Sequence, residues 1–122
     1  METPPRTLLI ASRLPRNLQL LADLLAKEGH TILTAGSYEE FDQVLTQPQV
    51  ISGSLIDIAG FDSEIWARCE QLRKAKIPFL IFSPKQSAAI QQASLSHGAR
   101  GVMVKPLVMK ELTGIVKSLL ED

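Results

Sequence analysis

The chain has 122 residues, enough for one domain around one core, and 45% of them are hydrophobic. Its 13 basic and 13 acidic side chains balance, which argues against non-specific nucleic-acid binding, since that needs a basic footprint. No apolar run approaches the roughly 20 residues that span a bilayer, and no segment reads as a basic amphipathic helix.

Residues 1–6, Met-Glu-Thr-Pro-Pro-Arg, have no signal-type apolar core behind them and read as a short disordered lead-in to a single domain over 7–122. Thr7 to Ala11 is a continuous apolar run, the pattern of a strand covered on both faces. Pro15 to Glu28 follows as a helix. Leu14, Leu18, Leu21 and Leu25 recur at helical spacing, Leu20 and Leu24 widen the stripe, and Gly29 caps it. His30 to Ala35 is a short β-branched strand. Ser37-Tyr38-Glu39-Glu40 has capping-box spacing and opens a helix with Phe41, Val44 and Leu45 inward, closed by Pro48.

Val50 to Ile56 is the third strand, ending in Asp57. Asp62 or Ser63 caps a third helix carrying Ile65, Trp66, Cys69 and Leu72. Ile77 to Phe82 is the fourth strand, followed by Ser83. Ser87 to Ser96 is an Ala-rich helix ended by Gly98, and Gly101 to Val104 is the fifth strand. Leu107 to Leu120 is the last helix, with Leu112, Ile115, Val116, Leu119 and Leu120 inward.

Five strands alternating with five helices demand a parallel α/β sheet with right-handed crossovers and helices on both faces. The ligand crevice of such a sheet lies beyond the carboxyl ends of its strands. Ser12, Arg13, Asp57, Ser83 and Lys105 all fall at that edge. A carboxylate, a hydroxyl and an ammonium at the ends of different strands suggest one built site.

At these residues the chain resembles the receiver domain of bacterial two-component response regulators, of the chemotaxis-receiver type. The resemblance runs from Leu8 to Leu120, and it implies a doubly wound, flavodoxin-like α/β fold with a five-stranded parallel sheet in order 2-1-3-4-5. Leu55-Ile56-Asp57 is similar to the strand ending in the phosphoryl-accepting aspartate. Ile77 to Ser83 resembles the strand ending in the hydroxyl residue that senses the phosphoryl group. Gly98-Ala99-Arg100-Gly101-Val102-Met103-Val104-Lys105-Pro106 resembles the segment whose lysine reaches the phosphoryl oxygens and whose proline follows a cis peptide. Met109-Lys110-Glu111-Leu112 is similar to the usual opening of the last helix.

The departures concern chemistry. The family carries two adjacent acidic residues after its first strand, and this chain has Ser12-Arg13. Ile58-Ala59-Gly60-Phe61-Asp62-Ser63 is shorter than the family's loop and lacks its proline. Pro84-Lys85 follows the switch hydroxyl where the family prefers a small residue, and Val102 stands where the family has a switch aromatic. The resemblance is thus to a degenerate, pseudo-receiver variant. Mg²⁺ wants octahedral oxygen ligands, usually including carboxylates. Here it would meet one carboxylate and up to two cations, each like-charge contact costing roughly 4 kcal/mol at about 4 Å and an effective dielectric near 20. Weak or absent Mg²⁺ binding is the expectation, with no other cofactor, and with Arg13 or Lys105 paired to Asp57 in the metal's place.

Other residues have plainer readings. Ser12 suits an N-cap of the first helix. Arg13 points inward or to solvent. Cys69, the single cysteine, excludes an internal disulfide, reads as a buried inert thiol and sets a reducing cytoplasm as the default. His30 and His97 are solvated or dipole-paired, and Trp66 is core or serves a partner. The face of the fourth helix, fifth strand and last helix is the family's output surface, carrying here Ala88, Ala89, Gln92, Leu95, Val102, Val104, Lys110 and Glu111.

The leading expectation is a stand-alone, non-enzymatic receiver that acts in bacterial signalling by docking to a protein partner, a histidine kinase, a downstream effector or a second copy, without Mg²⁺-dependent phosphorylation. The chain closes at Asp122 without an output module, so output is expected from another chain. One alternative keeps Asp57 as phosphoryl acceptor from a histidine kinase. Another is a small anion- or nucleotide-binding domain using Arg13 and Lys105, although no Gly-rich loop follows the first strand.

Overall fold

The computed structural model describes residues 6–47 and 50–121. The lead-in expected for 1–6 lies outside these residues except for Arg6, as does Pro48, expected to close the second helix. The elements run β1 (Thr7–Ala11), α1 (Pro15–Lys27), β2 (Thr31–Ala35), α2 (Tyr38–Thr46), β3 (Gly53–Asp57), α3 (Ile65–Lys74), β4 (Phe79–Ser83), α4 (Ala88–Ser96), β5 (Gly101–Val104) and α5 (Met109–Leu120). Every strand pair is parallel and the order is β2-β1-β3-β4-β5. The α/β alternation and strand order therefore agree with the expectation. No helix among the described residues is long and apolar enough to cross a membrane.

The sheet separates two apolar layers. On one face Leu8, Ile10, Leu55, Leu80 and Phe82 pack under Leu21 and Leu25 of α1 and Leu112, Val116, Leu119 and Leu120 of α5. On the other, Leu9, Ala11, Ile56, Phe79 and Ile81 pack under Phe41 and Val44 of α2 and Ile65, Cys69 and Leu72 of α3. Burial pushes the Cys69 thiol up to about 12, so it is a packed, protonated side chain. The central strands β3 and β4 are buried along their whole length, as a strand covered on both faces must be.

Element ends depart from the sequence reading for local reasons. β3 begins at Gly53, because its register with β1 runs Leu8↔Gly53 to Ala11↔Ile56, and ahead of it the Ser52 N–H reaches the Thr7 carbonyl at the start of β1. Val50 accordingly stands 83% exposed. β4 begins at Phe79, since Pro78 offers no N–H to a ladder. α5 begins at Met109 while Leu107 turns the chain and packs on the α1/α5 layer. Leu14 and Leu20 are exposed: the first is the N-cap residue, and the second lies off the Leu18–Leu21–Leu25 stripe. Ile115 also turns outward.

Two caps differ from expectation. Ser37 accepts the Glu40 N–H, but the Glu40 carboxylate takes the Gly36 N–H rather than that of Ser37. α3 has Glu64 at its N-cap with no side-chain cap, and Asp62 instead accepts the Glu64 N–H in the turn ahead of it. Gly29 leaves α1 with φ of +93°, the positive-φ cap expected there, and Gly98 ends α4 in the same way with φ of +103°.

Candidate functional site: the Asp57 crevice

Parallel pairing brings the carboxyl ends of β1, β3, β4 and β5 to one edge, and the residues that end or follow them there are Ser12, Asp57, Ser83 and Lys105. Asp57 is 1% exposed. Its Oδ2 accepts from the Lys105 Nζ at 2.7 Å and from the Ser12 hydroxyl at 3.2 Å, and its Oδ1 accepts from the Ala59 N–H at 3.2 Å. Three donors on a buried carboxylate, one of them charged, meet the condition for keeping an ion out of water. The Lys105 side chain is 22% exposed, so the pair has a dry anionic end and a partly wet cationic end.

Ser12 is buried, and its oxygen also accepts the Leu14 N–H at 3.1 Å. It shapes the turn into α1 without being the helix N-cap, which is Leu14. Of the two cations weighed at the sequence level, Lys105 is the one on Asp57. Arg13 is exposed, and its stem lies over Gly60, where a Cβ would stand 3.1 Å from the Arg13 Cβ. Its charge acts on Asp62, helping to hold that carboxyl below the usual range after the larger effect of hydrogen bonds from Tyr38 and the Glu64 N–H.

Ser83 is buried, but its hydroxyl donates to the Lys85 carbonyl at 2.6 Å, closing its own turn rather than reaching Asp57. Val102 is half-buried against the α2/α3 layer, a packing role. The Lys105–Pro106 peptide is cis, as the resemblance implies. Pro106 lines a cleft of about 160 Å³ between α1 and the turn after β5, together with Asn17, Leu20, Leu21, Leu107 and Met109, and Asp57 and Lys105 also border it.

Sequence reading missed the Ala59 amide, and it missed a lock on the loop after β3. The Tyr38 hydroxyl donates to Asp62 Oδ1 at 2.6 Å, and Tyr38 packs against Phe61. Arg68 lies over the Tyr38 ring, 4.4 Å from its centre, and bonds both oxygens of Asp42 at 3.1 and 2.8 Å. α2 thereby holds both α3 and the loop that leads into it. No local pattern announces this, because the partners lie 24 to 26 residues apart.

The receiver fold implies a magnesium ion, and the donor set here does not fit one. Among the described residues no three His, Cys, Asp or Glu side chains cluster. At Asp57 the neighbouring side chains are a neutral hydroxyl and an ammonium, both already bonded to Oδ2. A hard dication calls for several anionic or carbonyl oxygens.

No protein-family model matches the chain, and no curated protein matches it. Solved structures do. A response regulator from Thermotoga maritima superposes with a TM-score of 0.86 at 16% identity, covering 98% of this chain and 100% of that one. A two-component response regulator from Clostridium difficile gives 0.83 at 22%, covering 94% and 95%. A response regulator receiver domain protein from Methanospirillum hungatei JF-1 gives 0.84 at 21%, covering 96% and 94%. At such identities the likeness is one of architecture: this chain has the flavodoxin-like fold that response-regulator receiver domains have.

Proposed function

We propose that this chain is an atypical receiver-like module of two-component signalling, working by protein–protein docking and without Mg²⁺-dependent phosphorylation of Asp57. One observation carries the reading: Lys105 Nζ sits 2.7 Å from Asp57 Oδ2, with Ser12 in the place of an acid. The ammonium supplies in cis the positive charge that phosphoryl transfer to a carboxylate otherwise takes from a metal ion. The fold supports a signalling role by analogy, and among the described residues the crevice holds no Ser/His/Asp or Cys/His set, which supports a module over an enzyme.

The partner is a histidine kinase or a downstream effector. The α4–β5–α5 face supports docking through exposed Leu95 and Val104. Val102, half-buried, is set aside from that surface. A single buried thiol fits a reducing cytoplasm.

Incubation with phosphoramidate or acetyl phosphate, with and without Mg²⁺, followed by intact-mass measurement, tests the reading. No added phosphoryl group is expected. A Mg²⁺-dependent gain of one, lost in Asp57→Asn, would return Asp57 to the role of phosphoryl acceptor and overturn the proposal.

A further inference from the structure

Trp66, Glu70 and Arg73 stand on one face of α3 at i, i+4 and i+7. All three engage the C-terminal end of α4. The Trp66 indole stacks on the His97 imidazole, with ring centres 5.4 Å apart and planes 11° from parallel. Glu70 Oε2 lies 2.9 Å from His97 Nδ1 and 3.6 Å from an Arg73 terminal nitrogen. That nitrogen donates to the Ser96 carbonyl at 3.3 Å, and the Arg73 stem packs against Gly98. One face of α3 thus meets the ring, a terminal carbonyl and the cap glycine of α4.

We propose that Trp66, Glu70, Arg73 and His97 form a proton-sensitive clamp that ties the end of α4 to α3 and tightens when His97 is protonated. The proposal stands apart from the Asp57 site. His97 is the C-cap residue of α4, beside carbonyls that carry the negative end of the helix dipole. Its Nδ1 faces a carboxylate, so Nδ1 carries the proton of the hydrogen bond. A second proton, taken up at Nε2, turns that hydrogen bond into an ion pair and adds a favourable dipole contact. Imidazole is the side chain whose charge ordinarily changes between pH 5 and 8. The charged groups facing it from α3 are Glu70 and Arg73, and the Lys74 charge also acts on Glu70. α4 itself has no charged residue, and exposed Arg100 follows it. The hydrogen bond from His97 is the largest reason, and Arg73 a further one, that the Glu70 carboxyl is held below its usual range. The anion is therefore in place when the imidazolium forms.

Trp66 is the only tryptophan and reports on its stacking partner. On the full chain, Trp66 fluorescence is followed between pH 5 and 8 alongside hydrogen exchange of the Gly98 and Ala99 amides, which bond back to Leu95 and Ser94. A one-proton fall in fluorescence toward acid is expected, absent in His97→Gln and kept in His30→Gln, the latter replacing the other histidine. After correction for intrinsic chemistry, protection of those amides should be about threefold higher at the acid end, the size of a partly exposed ion pair. Glu70→Gln should keep the fluorescence step and lose most of the protection difference, leaving only the dipole part. A flat fluorescence titration, a step that survives His97→Gln, or a protection difference undiminished in Glu70→Gln would each overturn the clamp.

Discussion

Asp57 and Lys105 share one short bond across unequal surroundings: the carboxylate side chain is wholly buried and the lysine side chain is 22% exposed. The two ends should therefore respond differently to truncation. Lys105→Ala leaves a buried anion with only a hydroxyl and an amide, a situation that costs about 3–5 kcal/mol when fully enclosed. The partial wetting of this pair reduces that to about 2 kcal/mol. Asp57→Asn can keep its one oxygen for the Ala59 N–H and turn its NH2 to the Ser12 oxygen, and it frees an ammonium that water can reach, so about 1 kcal/mol is expected. Urea unfolding midpoints at constant m check the order. An Asp57→Asn variant less stable than Lys105→Ala would contradict it.

Tyr38 and Asp62 set a pH window. The Tyr38 phenol is pushed up to about 12, first by burial and then by its hydrogen bond to Asp62. The Asp62 carboxyl is held down by that same bond. A raised phenol stabilises the fold below its ordinary value and loses that contribution as pH rises toward about 12. A lowered carboxyl stabilises above its ordinary range and loses the contribution as pH falls through the folded-state value. The lock is thus intact from mildly acidic to mildly alkaline pH. Tyr38 is the only tyrosine, so phenolate absorbance reads it directly. Asp62→Asn should bring the native titration closer to that of free tyrosine; an unchanged titration would mean that burial alone sets it.

Gly53 and Gly114 should answer the same substitution with opposite signs. A Cβ on Gly53 would stand 3.0 Å from Leu120 Cδ2 and 3.3 Å from methyls of Leu119 and Leu8, where β3 passes under α5. Overpacking of that kind costs about 1–3 kcal/mol, only partly offset by the reduced freedom of the unfolded chain. A Cβ on Gly114 meets nothing within 4 Å on the exposed side of α5. Gly114→Ala should stabilise by up to about 1 kcal/mol. Thermal midpoints of the two variants moving in the same direction would contradict this packing.

Period and punctuation carried the fold. The continuous apolar runs ending at Ala11, Asp57 and Ser83 can be covered only by helices on both sheet faces, and Gly29 and Gly98 mark where helices stop. The ends of β3 and β4 were less legible, because pairing register leaves Val50 outside the ladder, and one proline after an apolar residue, Pro78, keeps Ile77 out of it. In the crevice, Ser12, Asp57 and Lys105 could be placed from their positions at strand ends. The choice between Arg13 and Lys105 could not. It depends on the Arg13 stem crossing Gly60 and on the turn after β5 aiming Lys105 inward, both properties of loops. The Arg68–Asp42 and His97–Glu70 pairs join residues 26 and 27 positions apart, beyond the reach of any local pattern.

Placing two acids directly after β1 gives a direct test of metal fit. Ser12 is buried 3.2 Å from Asp57 Oδ2, so a carboxylate there would face Asp57 with Lys105 as the nearest cation. Without metal, Ser12→Asp combined with Arg13→Asp should be less stable than the parent, because a buried site would hold more anionic charge than one lysine balances. With Mg²⁺ that penalty becomes a ligand set. At a concentration about ten times the dissociation constant, binding to the folded state alone adds about 1.4 kcal/mol. The variant should therefore gain several degrees in thermal midpoint across a millimolar Mg²⁺ titration, while the parent stays flat. Saturable stabilisation of the parent by Mg²⁺ would mean that Lys105 yields Asp57 to a metal, and the case for a metal-free site would fail.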